Sequence, residues 1–431
     1  MQAVNRSQLF VASCLALLVT SLSFGIRAGI LDRLGVQFHL NASQLATITA
    51  TAFWGFLLAV IIGGMLVDII GMKRLLMMAF LLHLAGILLT IFAQGFWSLF
   101  ISTLCIGLAN GTVEAACNPL VTALYPNDKT TKLNHFHLWF PGGIVIGTLV
   151  VYYLDQWLGK ENVSTWQIEM AVMVLPALIY GYLFSKQKFP VTERVAAGVS
   201  TSEMYRSLLN PLFIFMIICM FGTAITELFT NQWTDVLLKN VIANPILLLT
   251  MISTVMVIGR GFAGPIVHRI SPTGVLLASA ILSSIGIYML GNTSGNAVFA
   301  GAIIFGLGVC YFWPTMLGFV SENLPKTGAV GINLMGGAGM FAVSIYMTFM
   351  GGYYDKLVIN KLPSGATLDA YRSAPPGTDL ASAYASARSA AGPEVLNTTL
   401  VIPLFLVVAF TGLLLYMRKR TPTVSLTPVN S

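Results

Sequence analysis

The sequence predicts an all-α membrane protein, twelve transmembrane helices arranged as two pseudo-symmetric six-helix bundles. Three observations carry this. Of 431 residues, 56% are hydrophobic and 9% charged, with a mean hydropathy of +0.81, whereas a soluble domain holds about 25% charged residues. Nearly uncharged runs of about 20 residues, the length that crosses a bilayer, recur from end to end. Positions 200 apart also match weakly, so the two halves look duplicated. The short alternating segments of a β-barrel are absent.

In order, the spans fall near 8–31, 43–69, 75–96, 97–124, 134–154 and 166–186, then 210–238, 246–267, 272–291, 295–320, 328–352 and 396–417. The first run follows Arg6 and is too long for a signal-peptide core, so it counts as a span. With both termini inside, inner loops and tails carry fourteen Lys and Arg against seven outside, which fits the positive-inside rule. Residues 1–186 therefore form one bundle and 210–420 the other. Between them, 187–209 is a polar, mixed-charge cytoplasmic linker, and 421–431 is a tail. A second irregular region, about 355–394, is expected outside, as an ordered cap or a flexible insert. Its Ala/Ser-rich run LASAYASARSAAG can make a short helix.

The chemistry concentrates in span four, Gly107 to Pro126, GLANGTVEAACNPLVTALYP. Asn110, Glu114 and Asn118 are four residues apart and stack along one helical face. A carboxylate at membrane depth is costly unless it faces a bundle interior or water, and marks a functional site by default. Pro119 frees backbone carbonyls beside it. This face is read as the wall of a transport pathway. The plainer alternative is a Glu that only bonds a neighbouring helix.

The duplication adds further candidates. GMLVDIIGMKR (Gly64 to Arg74) aligns with GRGFAGPIVHRISP (Gly259 to Pro272), superposing Gly64 on Gly264 and Asp68 on His268. The same shift puts Arg27 of span one on Glu227 of span seven. Arg does not lose its charge in a protein, so Arg27 needs an anion or water. Three readings stay open: an ion pair with Glu227 that breaks between states, a grip on a substrate carboxylate, or a fixed structural pair. His137, three residues after Asn134, can relay protons or bond into the cavity. Asn231, Gln232 and Trp233 offer amides for hydroxyls and an aromatic ring, and Trp139 and Trp313 could stack on a solute likewise. His83 reads as a satisfied buried histidine. Arg260 is read as structural, snorkelling near the inner end of span eight or holding the inner gate.

The loop GMLVDIIGMKR resembles the signature of the major facilitator superfamily, Gly-x-Leu-x-Asp-x-x-Gly-x-Lys/Arg. That resemblance implies the major facilitator fold, and a latching role for Gly64, Asp68, Gly71, Lys73 and Arg74. Glu114, Asn118, Pro119 and Thr122 are similar to the Glu-x-x-x-Asn-Pro-x-x-Thr pattern of the fucose/proton symporter family of sugar permeases. Gly259, Arg260, Gly264, Arg269 and Pro272 match its span-eight pattern, and Trp313-Pro314-Thr315 its aromatic-Pro-Thr in span ten. Gly336-Gly337-x-Gly339 sits at its glycine-rich span eleven. The resemblance implies carboxylates in spans one and four that handle a proton or contact sugar. Glu114 takes the second role. Asp32, five residues before Gln37-Phe38, is the span-one candidate, or else an interfacial residue. Phe140 stands where the family has a polar residue in span five.

The expectation is a proton-coupled symporter of a sugar or sugar-like solute, with Glu114, Asp32 and Glu227 as the proton-handling acids. Sodium is the alternative ion, and an organic-anion or sugar-acid carrier using Arg27 the alternative class. A multidrug exporter fits less well, because the polar stripe of span four does not suit an apolar cavity. No nucleophile–base set, metal cluster or ATP-binding loop can be assembled, so the chain is not read as an enzyme and needs no cofactor. The net charge of +7 reflects topology rather than nucleic-acid binding. The five cysteines all fall in apolar runs and read as packing residues, not disulfide or zinc partners. The expected setting is a cell inner membrane, with the lipid bilayer and a small solute as partners and a monomeric chain.

Overall fold

A computed structural model describes residues 4–40, 42–159, 165–231, 245–363, 367–372, 374–375 and 377–419. The described segments are helices joined by short turns, because each apolar run can satisfy its backbone in a membrane only within a helix. Span one is Arg6–Gln37, span two Ala42–Ile70, span three Met72–Ile91 and span four Phe96–Leu124. Spans five and six are Lys129–Leu158 and Thr165–Lys186. Span seven is Pro211–Phe229, and its end, Ile225–Phe229, is a π-helix. Span eight is Pro245–Gly261; the next helix, Ala263–Asn292, bends at Ser271 (φ 64°), just before Pro272, and continues as span nine. Span ten is Asn296–Asn323 and span eleven Gly328–Lys361. Helix Asp379–Thr399 leads into span twelve, Val401–Lys419. Among the described residues eleven helices are long and apolar enough to cross a membrane, and Leu248–Gly261 is a shorter apolar one.

The region near 355–394 differs from the expectation. Span eleven continues to Lys361, and the Ala/Ser-rich run belongs to a 21-residue helix capped by Thr378, whose hydroxyl accepts from the Ala381 N–H. Alanine favours helix, and Lys361 ties to Glu394 (2.5 Å), so two long helices replace most of the irregular insert.

The halves meet firmly on the side that holds the termini. At the foot of span five, the Lys129 ammonium reaches the Ser321 carbonyl (3.2 Å). Thr130 gives its N–H (3.0 Å) and hydroxyl (2.7 Å) to Glu322. Asn134 donates to the Thr315 hydroxyl at 3.3 Å. The two superposed glycines sit at matching seams: a Cβ on Gly64 would lie 2.6 Å from Asn333 of span eleven, and one on Gly264 would lie 3.3 Å from Thr131 of span five. Thus span two packs on span eleven and the start of the helix after span eight on span five, as a duplicated chain with a pseudo-twofold axis would arrange them.

The linker straps this closed face. It forms two short helices, Glu193–Ala196 and Thr201–Ser207. Arg194 pairs with Asp68 (2.7 Å), Thr192 also donates to Asp68, and Glu193 pairs with Lys129 (2.8 Å). Burial pushes the Glu193 carboxyl up, with Lys129 pulling the other way. Gly71 takes φ 86°, the left-handed conformation that lets the chain turn sharply between spans two and three. Lys73 donates to the carbonyls of Ser185 and Gln187, while Arg74 is exposed. The expected latching loop is therefore a set of ties between the bundle, the linker and the end of span six.

Candidate functional site

Span four lies against span two through glycine: a Cβ on Gly111 would sit 2.2 Å from the Phe56 carbonyl oxygen. That close approach fixes the rotation of span four and turns its polar stripe inward. The stripe then divides between two neighbours. Asn110, fully buried, donates to Ser23 of span one (3.2 Å) and accepts from His83 of span three (2.8 Å). His83 also bonds the Tyr180 hydroxyl at 2.8 Å, so both its nitrogens are used, as expected of a satisfied histidine. The Asn110 amide thus ties three helices together.

One turn on, the stripe meets span five. Asn118 donates its amide N–H to Glu114 Oε2 at 2.6 Å, and its Oδ1 lies 3.0 Å from His137 Nε2. An amide oxygen only accepts, so Nε2 carries a proton. His137 Nδ1 then faces Glu114 Oε1 at 3.8 Å. With Nε2 protonated, neutral His137 presents a lone pair to a carboxylate. One further proton, on either group, removes that mismatch. All three residues are buried.

The network continues into the second half. Arg260 is 2% exposed and donates Nη1 to the His137 carbonyl (2.7 Å), Nε to the Cys310 carbonyl (2.6 Å) and Nη2 to Glu227 Oε1 (3.0 Å). Arg260 does not snorkel to the inner end of span eight, because its guanidinium finds two carbonyls and a carboxylate within the bundle. Glu227 is paired with Arg260, not with Arg27. The π-helix at Ile225–Phe229 carries Glu227 at its centre; such bulges shift side-chain register and recur at functional sites. Glu227 Oε2 is buried without a hydrogen-bond partner among the described residues.

The remaining candidates are distributed as follows. Arg27 is 9% exposed and its Nη2 finds no partner among the described residues. Asn231 reaches only the Met256 sulfur, at 4.0 Å, and its Oδ1 is unpartnered. Trp139 is half-buried, and its carbonyl accepts from Ser21 at 2.9 Å. Trp313 packs over Gly336 and Gly339 and joins an apolar cluster of Phe56, Leu57, Val60 and Met340. Phe140 lies against Phe24, which also meets Phe53, with ring centroids 5.9 and 5.7 Å apart. Asp32 falls on span one, but its side chain lies outside the described residues, as do Gln232 and Trp233. Four cysteines are buried and Cys105 is half-buried, all as free thiols.

Sequence reasoning missed three participants. Ser23 and Tyr180 have no signal of their own, since small hydroxyls and single tyrosines are common in helices. Asn333, which fills the space left by Gly64 and donates to the Ala115 carbonyl at 2.9 Å, was equally silent. The Arg260 link was nearly legible. A lone arginine in an apolar span needs an acid, and Glu227 was the intramembrane acid identified in its half.

The Major Facilitator Superfamily model matches residues 13–353. Among curated proteins, a member 10 of the facilitated glucose transporters, solute carrier family 2, from Danio rerio is 24% identical over 349 residues, 78% of this chain and 60% of that protein. Its Xenopus laevis counterpart is 27% identical over 40% of this chain and 31% of its own length. A D-xylose transporter of Levilactobacillus brevis is 24% identical over 42% of this chain and 40% of its own length. The chain thus spans less than two thirds of these relatives. Among solved structures, the E. coli fucose:proton symporter FucP superposes with a TM-score of 0.67 at 16% identity, covering 92% of this chain and 98% of that one. The proton:xylose symporter XylE gives 0.68 at 14% identity, covering 93% and 96%. These likenesses are of fold. They agree with an all-helical bundle, and they are to transporters rather than enzymes. With the family model covering most of its length, this chain belongs to the Major Facilitator Superfamily.

Proposed function

We propose that this protein is a secondary transporter that moves a monosaccharide or similar polyol by alternating access, in symport with protons. The observation that carries the reading is the buried chain Glu114–Asn118–His137–Arg260–Glu227. It runs from one half to the other through contacts of 2.6 to 3.8 Å. Sugar relatives and sugar-symporter folds support the substrate class. The setting we propose is a bacterial inner membrane, with both termini cytoplasmic and the chain acting as a monomer.

The mechanism follows from charge in a dry site. Glu114 and His137 present two acceptors to each other, and a proton on either removes the conflict. Protonating Glu227 would instead strip Arg260 of its anion and leave a buried cation bonded only to carbonyls. Breaking a buried pair costs about 3–5 kcal/mol. Since Arg260 also holds the His137 carbonyl of the other half, loss of its anion favours separation on the terminus side. Protons therefore push the closed face toward opening, and solute binding adds its own preference between the two states. Sodium is the less favoured ion. Arg260 already occupies one oxygen of Glu227, so a metal at that carboxylate would meet a fixed positive charge.

Uptake into proteoliposomes tests the reading. A panel of hexoses and pentoses would be supplied with a proton gradient, a sodium gradient or none, and Glu114→Gln would run beside the native chain. Proton-driven accumulation, lost in Glu114→Gln while gradient-free exchange survives, supports it. Accumulation driven by sodium alone, or no sugar moved at all, contradicts it.

A further inference from the structure

The neutral-sugar reading leaves one costly feature without a use. Arg27 stands in span one, 9% exposed, and its Nη2 is buried with no partner among the described residues. Ion pairs occupy Arg33, Arg194 and Arg260, and Glu227, the acid matched to Arg27 by the duplication, is committed to Arg260. A guanidinium cannot discharge itself as a buried lysine does. Desolvating it without an anion costs several kcal/mol. A transporter of uncharged sugars gains nothing from that expense.

The surroundings say what kind of anion suits it. Arg27 continues the face of span one that bears Ser23 and Phe24, four and three residues earlier, and so points into the first bundle. Ser23 bonds Asn110 there, and Phe24 meets Phe53 and Phe140. All three rings are half-buried. A planar five-donor group on the same helix face as Phe24, whose ring meets Phe53 and Phe140, matches a ring-shaped solute carrying one carboxylate. The carboxylate takes two parallel N–H bonds, and the apolar face of the ring lies on phenylalanine.

Resting on the sugar reading above, we infer that the preferred substrate is an anionic monosaccharide, a sugar acid whose carboxylate is bound by Arg27. The proton at Glu114 and His137 then has a second consequence: one proton carried with one carboxylate moves no net charge.

The test is ligand-dependent thermal stabilisation and equilibrium binding on the purified full chain. D-glucuronate and D-galacturonate are compared with their neutral parents glucose and galactose, and with benzoate as a ring carboxylate that lacks hydroxyls. The native chain should bind a hexuronate at least about tenfold more tightly than the parent hexose, as a charge-assisted pair of bonds implies. Arg27→Gln should bring that ratio to about one. Arg27→Lys, which keeps the charge without the fork, should restore part of it. A native chain that binds hexoses as well as or better than hexuronates overturns the inference and leaves the sugar reading intact. So does an unchanged ratio in Arg27→Gln. Benzoate bound through Arg27 with no hexuronate binding overturns it in favour of a non-sugar anion. If neither hexose nor hexuronate binds, the sugar reading itself fails, and the inference fails with it.

Discussion

At the scale of single residues, the membrane makes charge the most informative letter in the sequence. Glu114, Glu227, Arg27 and Arg260 were each conspicuous because an apolar span does not carry them cheaply. What the sequence could not assign was pairing. Duplication arithmetic matched Arg27 with Glu227, but pairing depends on rotation and depth, and the π-helix at Ile225–Phe229 sets both locally. Arg260→Met should therefore be among the more damaging single changes, costing about 3–5 kcal/mol because Glu227 and two carbonyls lose their donor. Adding Glu227→Met should recover a large part of the loss. Thermal unfolding in detergent reads both; equal destabilisation by the single and double variants would show that the pair is not the source. Asn110→Leu should cost about 1–3 kcal/mol through orphaned His83 and Ser23. Its effect on sugar affinity should be small, since its amide faces no pathway. A selective loss of affinity in an otherwise stable variant would return Asn110 to the substrate site.

At the scale of elements, span number and placement were legible because twenty apolar residues admit few alternatives in a bilayer. The region near 355–394 was not: its Gly, Pro and Ser content reads as loop, whereas alanine and the Lys361–Glu394 tie extend helices into it. The glycines of span four carried no reading from the sequence, and the structure names what Gly111 packs on. Gly111→Val would drive a branched side chain into the Phe56 backbone, where a Cβ alone would be 2.2 Å from the carbonyl oxygen. The expected cost is at least about 1–3 kcal/mol, with span four displaced and Glu114 turned from His137. A Gly111→Val chain that melts and transports like the native one would contradict that packing.

At the scale of the whole molecule, the closed terminus side is held by two kinds of contact. Linker ties, Asp68–Arg194 and Lys129–Glu193, bind the linker across the seam. The Arg260 network lies deep within it. On the proposed mechanism both respond to protons in the same sense. Glu193, whose carboxyl burial pushes up, loses its charge at a higher pH than an ordinary glutamate and so loosens the strap as pH falls. Arg194→Gln should weaken the seam without touching the proton site: the terminus side opens more often, while gradient-driven uptake keeps its dependence on protons. Loss of that dependence would mean that the linker belongs to the coupling machinery.

The central claim is that protonation of Glu227 loosens the closed face by taking the anion from Arg260. Spin labels at Arg74→Cys and Arg269→Cys, both exposed residues of opposite halves on the terminus side, report its opening directly as a distance distribution in liposomes. The native chain should shift toward the longer distance as pH falls from neutral. Glu227→Gln should show the longer distance already at neutral pH, with the pH response reduced to what the linker contributes. A native distance that ignores pH, or a Glu227→Gln chain that stays as closed as the native one, would contradict the account.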